Sequence, residues 1–145
     1  MLAPTIRRFQ ISDLSDKVGW VLPRLIRKYS KSETVIANYL RALALRNDCL
    51  FLYADQVIML AEMVNLDPMA DKFVVIERFM LCQDRQNYHQ IELAQQFYPQ
   101  VRAWAKSASI TKVILDPNSD VPKEQAASFF SYKRLFPEEL LVVRV

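Results

Sequence analysis

The chain has 145 residues, of which 52% are hydrophobic and 24% are charged, a composition that excludes a disordered or fibrous protein. The length fits one domain over residues 1–145, and the apolar runs fall far short of the roughly 20 residues that a membrane helix needs. A net charge of +3 is low for a dedicated nucleic-acid-binding domain. Because the opening residues lack the apolar block of a secretory signal, we expect the protein in the cytoplasm of the cell that makes it.

The first half of the chain predicts a strand, two helical regions and two strands. Residues 5–11 alternate as a strand does and end at polar residues that can cap a helix. In the helical region that follows, Pro23 predicts a bend or a division. The segment Ser30-Lys-Ser-Glu33 has the spacing of a capping box and starts a second helix with a regular apolar stripe. Two apolar segments then predict antiparallel strands that join in a tight turn at Asp55 and Gln56.

The second half predicts a strand, a long helix, a short strand, a helix and a last strand. Residues 73–82 read as a third antiparallel strand, which a polar turn connects to a helix that reaches Trp104. Pro99 lies inside this helix and predicts a kink. Because a helix separates it from the strand at 73–82, the short strand at 110–116 should pair with that strand in parallel. The remaining elements are a helix at residues 123–133 and a strand at residues 139–145.

The cysteines, the basic residues and the single glycine limit the kinds of functional site that the chain can contain. Cys49 and Cys82 lie in apolar, strand-like surroundings without metal-ligand spacing, so we expect buried free thiols and neither a disulfide nor a metal site. Only one glycine, Gly19, is present, so the turns must form without glycine's conformational freedom. The densest basic stretch is either a solvated helix face or a contact for phosphate or an acidic partner. Its members are Arg24, Arg27, Lys28 and Lys31.

Two segments, in this order of elements, resemble a known family. The opening IRRFQISDLSD places Ile6, Arg7 and Asp13 as an arginine-bearing first strand that runs into a capped helix. The segment SITKVILDPNSDVPKEQAASFFSYKRLF contains a late strand, an asparagine-containing loop and a helix rich in small residues. Together they resemble the GNAT family of acyl-CoA N-acyltransferases over nearly the whole chain. The resemblance implies an α/β (α+β) fold, with a mixed, mostly antiparallel central sheet flanked by helices.

The resemblance also places a cofactor site at the turn after the strand at 73–82. In the family, backbone N–H groups at the start of the next helix bind the cofactor's diphosphate, since unpaired amides and the helix dipole favour an anion. The family motif is Gln or Arg, then Gly three residues later, then Gly or Ala two residues further. No register of this turn supplies those small residues, so we expect a filled phosphate cradle and no cofactor. The turn consists of Gln83, Asp84, Arg85, Gln86, Asn87, Tyr88 and His89.

The catalytic candidates depend on the same resemblance. It implies a carboxylate on the fourth strand that deprotonates the amine, and a tyrosine on the last helix that protonates the leaving thiolate. Glu77 has the first position, or is a solvated outward residue on a half-exposed strand. Tyr132 lies near the second, or only packs, because the family's Y-x-x-x-G-F becomes Tyr132-Lys-Arg-Leu-Phe136. His89 is a base or phosphate contact, or a surface histidine with no role.

Three functions therefore compete. The first is a GNAT-fold protein that has lost acyl-CoA binding and serves as a binding or structural component among protein partners, similar to the GNAT-like proteins of bacteriophage particles. The second is an active N-acetyltransferase that uses acetyl-CoA with Glu77 and Tyr132. The third is a nucleic-acid or acidic-partner module that uses the face from Arg24 to Lys31. The turn without glycine favours the first of these.

Overall fold

Six strands form one sheet in the part of the chain that the structure describes, and they lie side by side in sequence order. The structure is a computed structural model that describes residues 6–16, 18–54, 56–131 and 142–145. Its strands are β1 (Arg7–Arg8), β2 (Cys49–Ala54), β3 (Val57–Asp67), β4 (Lys72–Cys82), β5 (Lys112–Ile114) and β6 (Val142–Arg144).

Strand pairing is antiparallel throughout this sheet except between β4 and β5, which pair in parallel. The three predicted antiparallel strands in succession, β2, β3 and β4, and the predicted parallel pair are therefore confirmed. Ala54 pairs with Val57, which leaves two residues to connect β2 to β3. Asp55, the first residue of the predicted tight turn, lies outside the described residues.

Helices cover both faces of the sheet and divide the core in two. They are α1 (Asp13–Asp16), α2 (Val21–Tyr29), α3 (Glu33–Ala44), α4 (Tyr88–Gln95), α5 (Tyr98–Ser107) and α6 (Lys123–Ala127). Helices α1–α3 pack on one face through a core that includes Leu25, Leu40, Phe51 and Phe79. Helices α4–α6 pack on the other through a core that includes Met80, Phe97, Val101 and Ala127. The predicted mixed, mostly antiparallel sheet flanked by helices is therefore confirmed.

Two prolines occupy the first turns of helices. Pro23 is the third residue of α2, and Pro99 is the second residue of α5. Backbone N–H groups of a first turn have no partner within the helix, so proline is tolerated there. Pro23 consequently does not divide α2, and the first helical region is interrupted earlier, between α1 and α2. The long helix predicted to kink at Pro99 is instead two helices, separated at Gln96 and Phe97.

Ser32, and not Ser30, caps α3. The Ser32 hydroxyl accepts a hydrogen bond from the backbone N–H of Val35 at 3.3 Å, so the predicted capping box is wrong by two residues. Ser30 instead ends α2 in the left-handed conformation, with φ of 54°, and its N–H donates to the carbonyl of Ile26 at 2.9 Å. The serine that terminates one helix therefore lies two residues before the serine that starts the next.

The last helix is shorter than predicted. Helix α6 ends at Ala127, and Ser131 pairs with Arg144 of β6 through two backbone hydrogen bonds of 2.8 and 3.0 Å. Pairing with the sheet at residue 131 requires extended backbone, which a continuing helix cannot provide. Residues 132–141, which include the end of the predicted helix and the start of the predicted last strand, lie outside the described residues.

Candidate functional site

A β-bulge in β4 turns Glu77 toward the face that α4–α6 cover. In the ladder between β3 and β4, Leu60 pairs with Phe79, but its neighbour Ala61 pairs with Glu77, so Arg78 is an extra residue. An inserted residue shifts the alternation of side chains along the strand. Phe79 therefore packs beneath α1–α3, whereas Glu77 points into the opposite half of the core.

Glu77 is buried, with 4% of its surface exposed. The Tyr98 hydroxyl donates a hydrogen bond to Glu77 Oε2 at 2.6 Å, and the backbone N–H of Asp116 donates to Oε1 at 2.8 Å. Burial raises the pKa of Glu77 to about 7, because it outweighs these two hydrogen bonds, which favour the charged form. The expectation of a solvated outward residue is therefore wrong, because helices cover both faces of the sheet at this strand, and the bulge decides which of the two cores Glu77 joins.

The β5–α6 connection (residues 115–122) covers the edge of β4. β5 pairs with β4 over only two residues, after which the strands separate. From there Asp120 takes the place of a partner strand: its N–H donates to the Met80 carbonyl at 3.0 Å, and its carboxylate accepts from the Cys82 N–H at 2.8 Å. Unpaired backbone groups at such an edge would be open to a ligand, but here the chain itself supplies their partners.

Two ion pairs fasten this connection to α2. The guanidinium of Arg24 lies 2.8 Å from the Asp120 carboxylate, and Lys28 Nζ lies 2.8 Å from the Asp116 carboxylate. Arg24 also donates to the carbonyl of Cys82 at 2.7 Å. Arg24 and Lys28 therefore hold buried carboxylates, and the expectation of a solvated face is wrong for both. The exposed members of the basic stretch are Arg27 and Lys31.

Three residues of this site were not predicted from the sequence, namely Tyr98, Asp116 and Asp120. Asp116 and Asp120 had one available signal, because polar residues directly after a buried strand often line a site. Tyr98 had none, since it belongs to an apolar helical stripe and its partner Glu77 is oriented by the bulge. A bulge depends on how two strands pair, which no single segment encodes.

The turn between β4 and α4 pairs its backbone amides within the chain. The Asn87 side chain caps α4, accepting from the N–H groups of His89 at 3.0 Å and Gln90 at 3.3 Å. The Gln90 side chain accepts from the Asp84 N–H at 2.7 Å, and Asp84 accepts from the Gln86 N–H at 3.0 Å. The amides of Asp84, Gln86, His89 and Gln90 therefore already have partners, which leaves fewer donors for an anion at this helix start.

The remaining side chains of the turn lie at the surface. His89 is 91% exposed, with Nδ1 at 3.9 Å from a Glu92 carboxylate oxygen. Tyr88, Gln83 and Arg85 are also exposed. Tyr132, the candidate acid, lies outside the described residues, so its position relative to Glu77 stays a prediction.

Two cavities open between α2 and this turn, and we call them the basic cavities. The larger, of about 360 Å³, is lined by Arg24, Arg27, Lys28, Leu81, Arg85, Asn118 and Asp120. The smaller, of about 290 Å³, is lined by Arg24, Arg27, Gln83, Asp84, Arg85 and Gln86. Three arginines line both cavities, so the two are neighbouring parts of one basic region of the surface.

The described residues do not fit an acyl-CoA molecule. With its diphosphate at the turn and its thioester beside Glu77, the molecule would run about 17 Å along the β4 edge, five residues at the rise of a strand. The β5–α6 connection covers that edge, and Asn87 and Gln90 hold the amides of the turn. The two ion pairs to α2 hold the connection in this position.

Other chemistry is limited in the described part of the chain. Cys49 and Cys82 are buried free thiols, as predicted. Within residues 6–16, 18–54, 56–131 and 142–145, no three His, Cys, Asp or Glu side chains lie together so as to hold a metal ion. The helices of these same residues are too short or too polar to cross a membrane.

Comparison with known proteins identifies the fold. No protein-family model matches the sequence, and no curated protein matches it either. Among solved structures, an aminoglycoside antibiotic 6'-N-acetyltransferase from Acinetobacter baumannii is similar, with a TM-score of 0.67 over 92% of this chain and 95% of that chain. The two sequences are 18% identical, so the likeness establishes the fold alone. The chain has the GNAT fold.

Proposed function

We propose that this GNAT-fold chain does not bind acyl-CoA and serves as a binding component for another partner. The single observation that carries the proposal is the contact of Asp120 with the backbone of β4, where a thioester cofactor would have to lie. The capped amides of the turn support it, since they leave the start of α4 with fewer open donors for a diphosphate.

The energetic cost of opening the site supports the same proposal. Two ion pairs hold the β5–α6 connection to α2, Arg24 with Asp120 and Lys28 with Asp116. Asp120 also makes two hydrogen bonds to the backbone of β4. Displacing the connection would break all of these contacts, and this cost would reduce the affinity for an acyl-CoA.

Calorimetric titration of the full chain with acetyl-CoA tests the proposal. We expect no saturable heat up to about 1 mM acetyl-CoA, a concentration that corresponds to about 4 kcal/mol of binding free energy. A parallel titration contains excess inorganic diphosphate, which occupies the basic cavities and removes binding through phosphate alone. Micromolar binding of acetyl-CoA that persists with diphosphate present contradicts the proposal.

A second candidate function is N-acetyl transfer, and the buried carboxyl of Glu77 favours it. A carboxyl whose pKa is about 7 is suited to act as a base near neutral pH. This candidate expects thiol release from acetyl-CoA in the presence of an amine, and loss of that release in a Glu77→Gln, Tyr132→Phe double variant. Absence of release across a broad panel of amines excludes it.

The resemblance to GNAT-like proteins of bacteriophage particles suggests one class of binding partner, the other proteins of such a particle. We extend the proposal to a structural role in such a particle, where the chain would contact other virion proteins. Mass spectrometry of purified particles from the source of this sequence is expected to detect the chain in a fixed ratio to the major capsid protein. Its absence from intact particles removes the virion role and leaves the proposal on acyl-CoA unchanged.

A further inference from the structure

We propose that the basic cavities bind a small phosphorylated anion, of which inorganic diphosphate is the simplest example. The site lies beside α2 and is lined by Arg24, Arg27, Lys28 and Arg85. Its larger part, about 360 Å³, is at the small end of the range that ligand pockets occupy. This inference goes beyond the proposed function, because it holds whether or not acyl-CoA binds.

Two of the four cations are held in place by the fold. Arg24 is fixed by Asp120 and by the Cys82 carbonyl, and Lys28 is fixed by Asp116. Side chains that are already ordered lose little conformational entropy when a ligand arrives. The wall of the site formed by α2 is therefore organised before binding.

The other two cations provide charge that a ligand can neutralise. Arg27 and Arg85 are exposed, and within the described residues neither lies within 4.0 Å of a carboxylate oxygen. Arg24 is paired with Asp120 and Lys28 with Asp116, so the charges of these four groups cancel. Arg27 and Arg85 then carry two positive charges and Asp84 one negative charge, which leaves a formal charge of +1 at the cavities. This excess favours an anionic ligand.

The basic cavities are distinct from the amides at the start of α4. Leu81 lines the larger cavity and belongs to the core beneath α1–α3, whereas α4 packs on the opposite face of the sheet. The site is therefore built from the side chains of α2 and the turn, on the α2 face of β4. Backbone N–H groups of the turn, which Asn87 and Gln90 occupy, are not needed for it.

The residue types indicate phosphate and a compact ligand. Arginine presents a planar fork of donors that matches phosphate oxygens in pairs, and three arginines line both cavities. A nucleic acid would instead require a stripe of cations along successive phosphates. Here the cations converge on one concave site with Asn118 on its wall, and Lys31 does not line it. The geometry therefore favours a small ligand with adjacent phosphates over a polymer.

Calorimetry with inorganic diphosphate tests this site in the full chain. We expect saturable binding at one site, and binding of orthophosphate that is at least about tenfold weaker, because a single phosphate cannot span the arginines. The variant Arg27→Gln/Arg85→Gln should bind diphosphate at least about tenfold more weakly, since it removes two charged groups that would donate hydrogen bonds to phosphate oxygens. Absence of diphosphate binding by the wild-type chain overturns the inference.

A charge-matched control separates the site from net charge. Arg41→Gln/Lys106→Gln removes two exposed cations from α3 and α5, neither of which lines the cavities. We expect its affinity for diphosphate to stay within about twofold of the wild type, because distant surface charges are screened. An equal loss in both double variants overturns the inference. Circular dichroism establishes that each variant is folded.

A single-stranded oligonucleotide provides the last arm of the test. We expect it to bind more weakly than diphosphate at about 0.15 M salt, with equal weakening in the two double variants. The opposite outcome is that the oligonucleotide binds more tightly than diphosphate and that only Arg27→Gln/Arg85→Gln abolishes this binding. The ligand of the site would then be a nucleic acid, which overturns the inference. Failure of this inference can be told apart from failure of the proposed function. Binding of diphosphate tests the basic cavities, whereas binding of acetyl-CoA in the presence of excess diphosphate tests the proposed function.

Discussion

Glu77 combines features that rarely occur together, since it is a carboxyl group in the core with a full set of hydrogen-bond partners. Tyr98 and the amide of Asp116 satisfy its oxygens, but burial still disfavours its charged form. The same environment raises the pKa of Tyr98 well above its usual value, because burial and the adjacent carboxyl both disfavour the phenolate. Protonation of Glu77 is therefore tied to the stability of the fold.

Replacing Glu77 by glutamine should make stability less dependent on pH. The pKa of Glu77 rises from 4.5 to about 7 on folding, so its contribution to stability is fully present below pH 4.5 and is lost as the pH rises through 7. Glutamine does not titrate; its oxygen can still accept from the Asp116 N–H, and its NH2 group can donate to the Tyr98 hydroxyl oxygen in place of the bond that Tyr98 donates in the wild type. From pH 4.5 to pH 8, Glu77→Gln should gain up to about 3 kcal/mol relative to the wild type, measured by urea unfolding.

The exposed residue Glu124 provides the control, because Glu124→Gln should keep a constant difference from the wild type across this pH range. A difference between Glu77→Gln and the wild type that does not change with pH contradicts the assignment.

The burial of Glu77 could not be predicted, although its place on the fourth strand could. The run FVVIERFMLC is apolar at nearly every position, so it indicates a strand but not which residues face inward. The bulge at Arg78 then reverses the alternation, and that depends on the pairing with β3.

At the scale of elements, the β5–α6 connection is the segment on which the proposed function depends. It follows a strand of three residues, and Asp116 and Asp120 then fill the space where β4 and β5 separate. The Asp116 carboxylate also accepts a hydrogen bond from the Asn118 N–H at 2.9 Å, which stabilises the turn within the connection. Loops usually tolerate change, but this one is held by buried carboxylates.

Removing the Asp120 side chain should loosen the end of β4. In Asp120→Ala the Cys82 amide loses its acceptor and Arg24 loses its ion-pair partner, and we expect a loss of about 2–4 kcal/mol in the free energy of unfolding. Hydrogen exchange of the Cys82 amide should accelerate more than that of amides in the centre of β3.

The exposed residue Glu124 again provides the control, since Glu124→Ala should change stability by no more than about 0.5 kcal/mol. Unchanged protection of the Cys82 amide in Asp120→Ala would show that the connection does not hold the strand.

Element order was predictable and element ends were not. Apolar periodicity identified the strands and helices, because it reflects which faces are buried. Ser30 and Ser32 both satisfy the local rules for a cap, and the choice depends on where α2 turns to place α3 on the sheet. Pro99 likewise suits a kink or a first turn, and the position of Phe97 and Tyr98 in the core selects the first turn.

At the scale of the whole molecule, the sheet separates two cores and each contains one cysteine. Cys49 packs in the core beneath α1–α3, and Cys82 packs in the core beneath α4–α6. Burial raises the pKa of Cys49 to about 11 and that of Cys82 to about 12. Both thiols are therefore unreactive until the core around them opens.

Thiol labelling should show whether the two cores unfold together. If residues 1–145 form one domain, as the length predicts, both cysteines become reactive in a single transition with denaturant. We expect no labelling of the native protein at pH 8 and equal labelling rates for Cys49 and Cys82 in moderate urea, read by peptide mass spectrometry. Rates that differ by more than about tenfold indicate two units that open independently.

The extra residue in β4 has a consequence for aligning this sequence with other proteins of the same fold. Residues before and after Arg78 belong to opposite alternations, so an alignment must open a one-residue gap there against any sheet of this fold that lacks the bulge. Without that gap, every inward residue of the first half of the strand is equated with an outward one. A single inserted position can therefore lower the sequence identity that such a comparison finds between two sheets of the same fold.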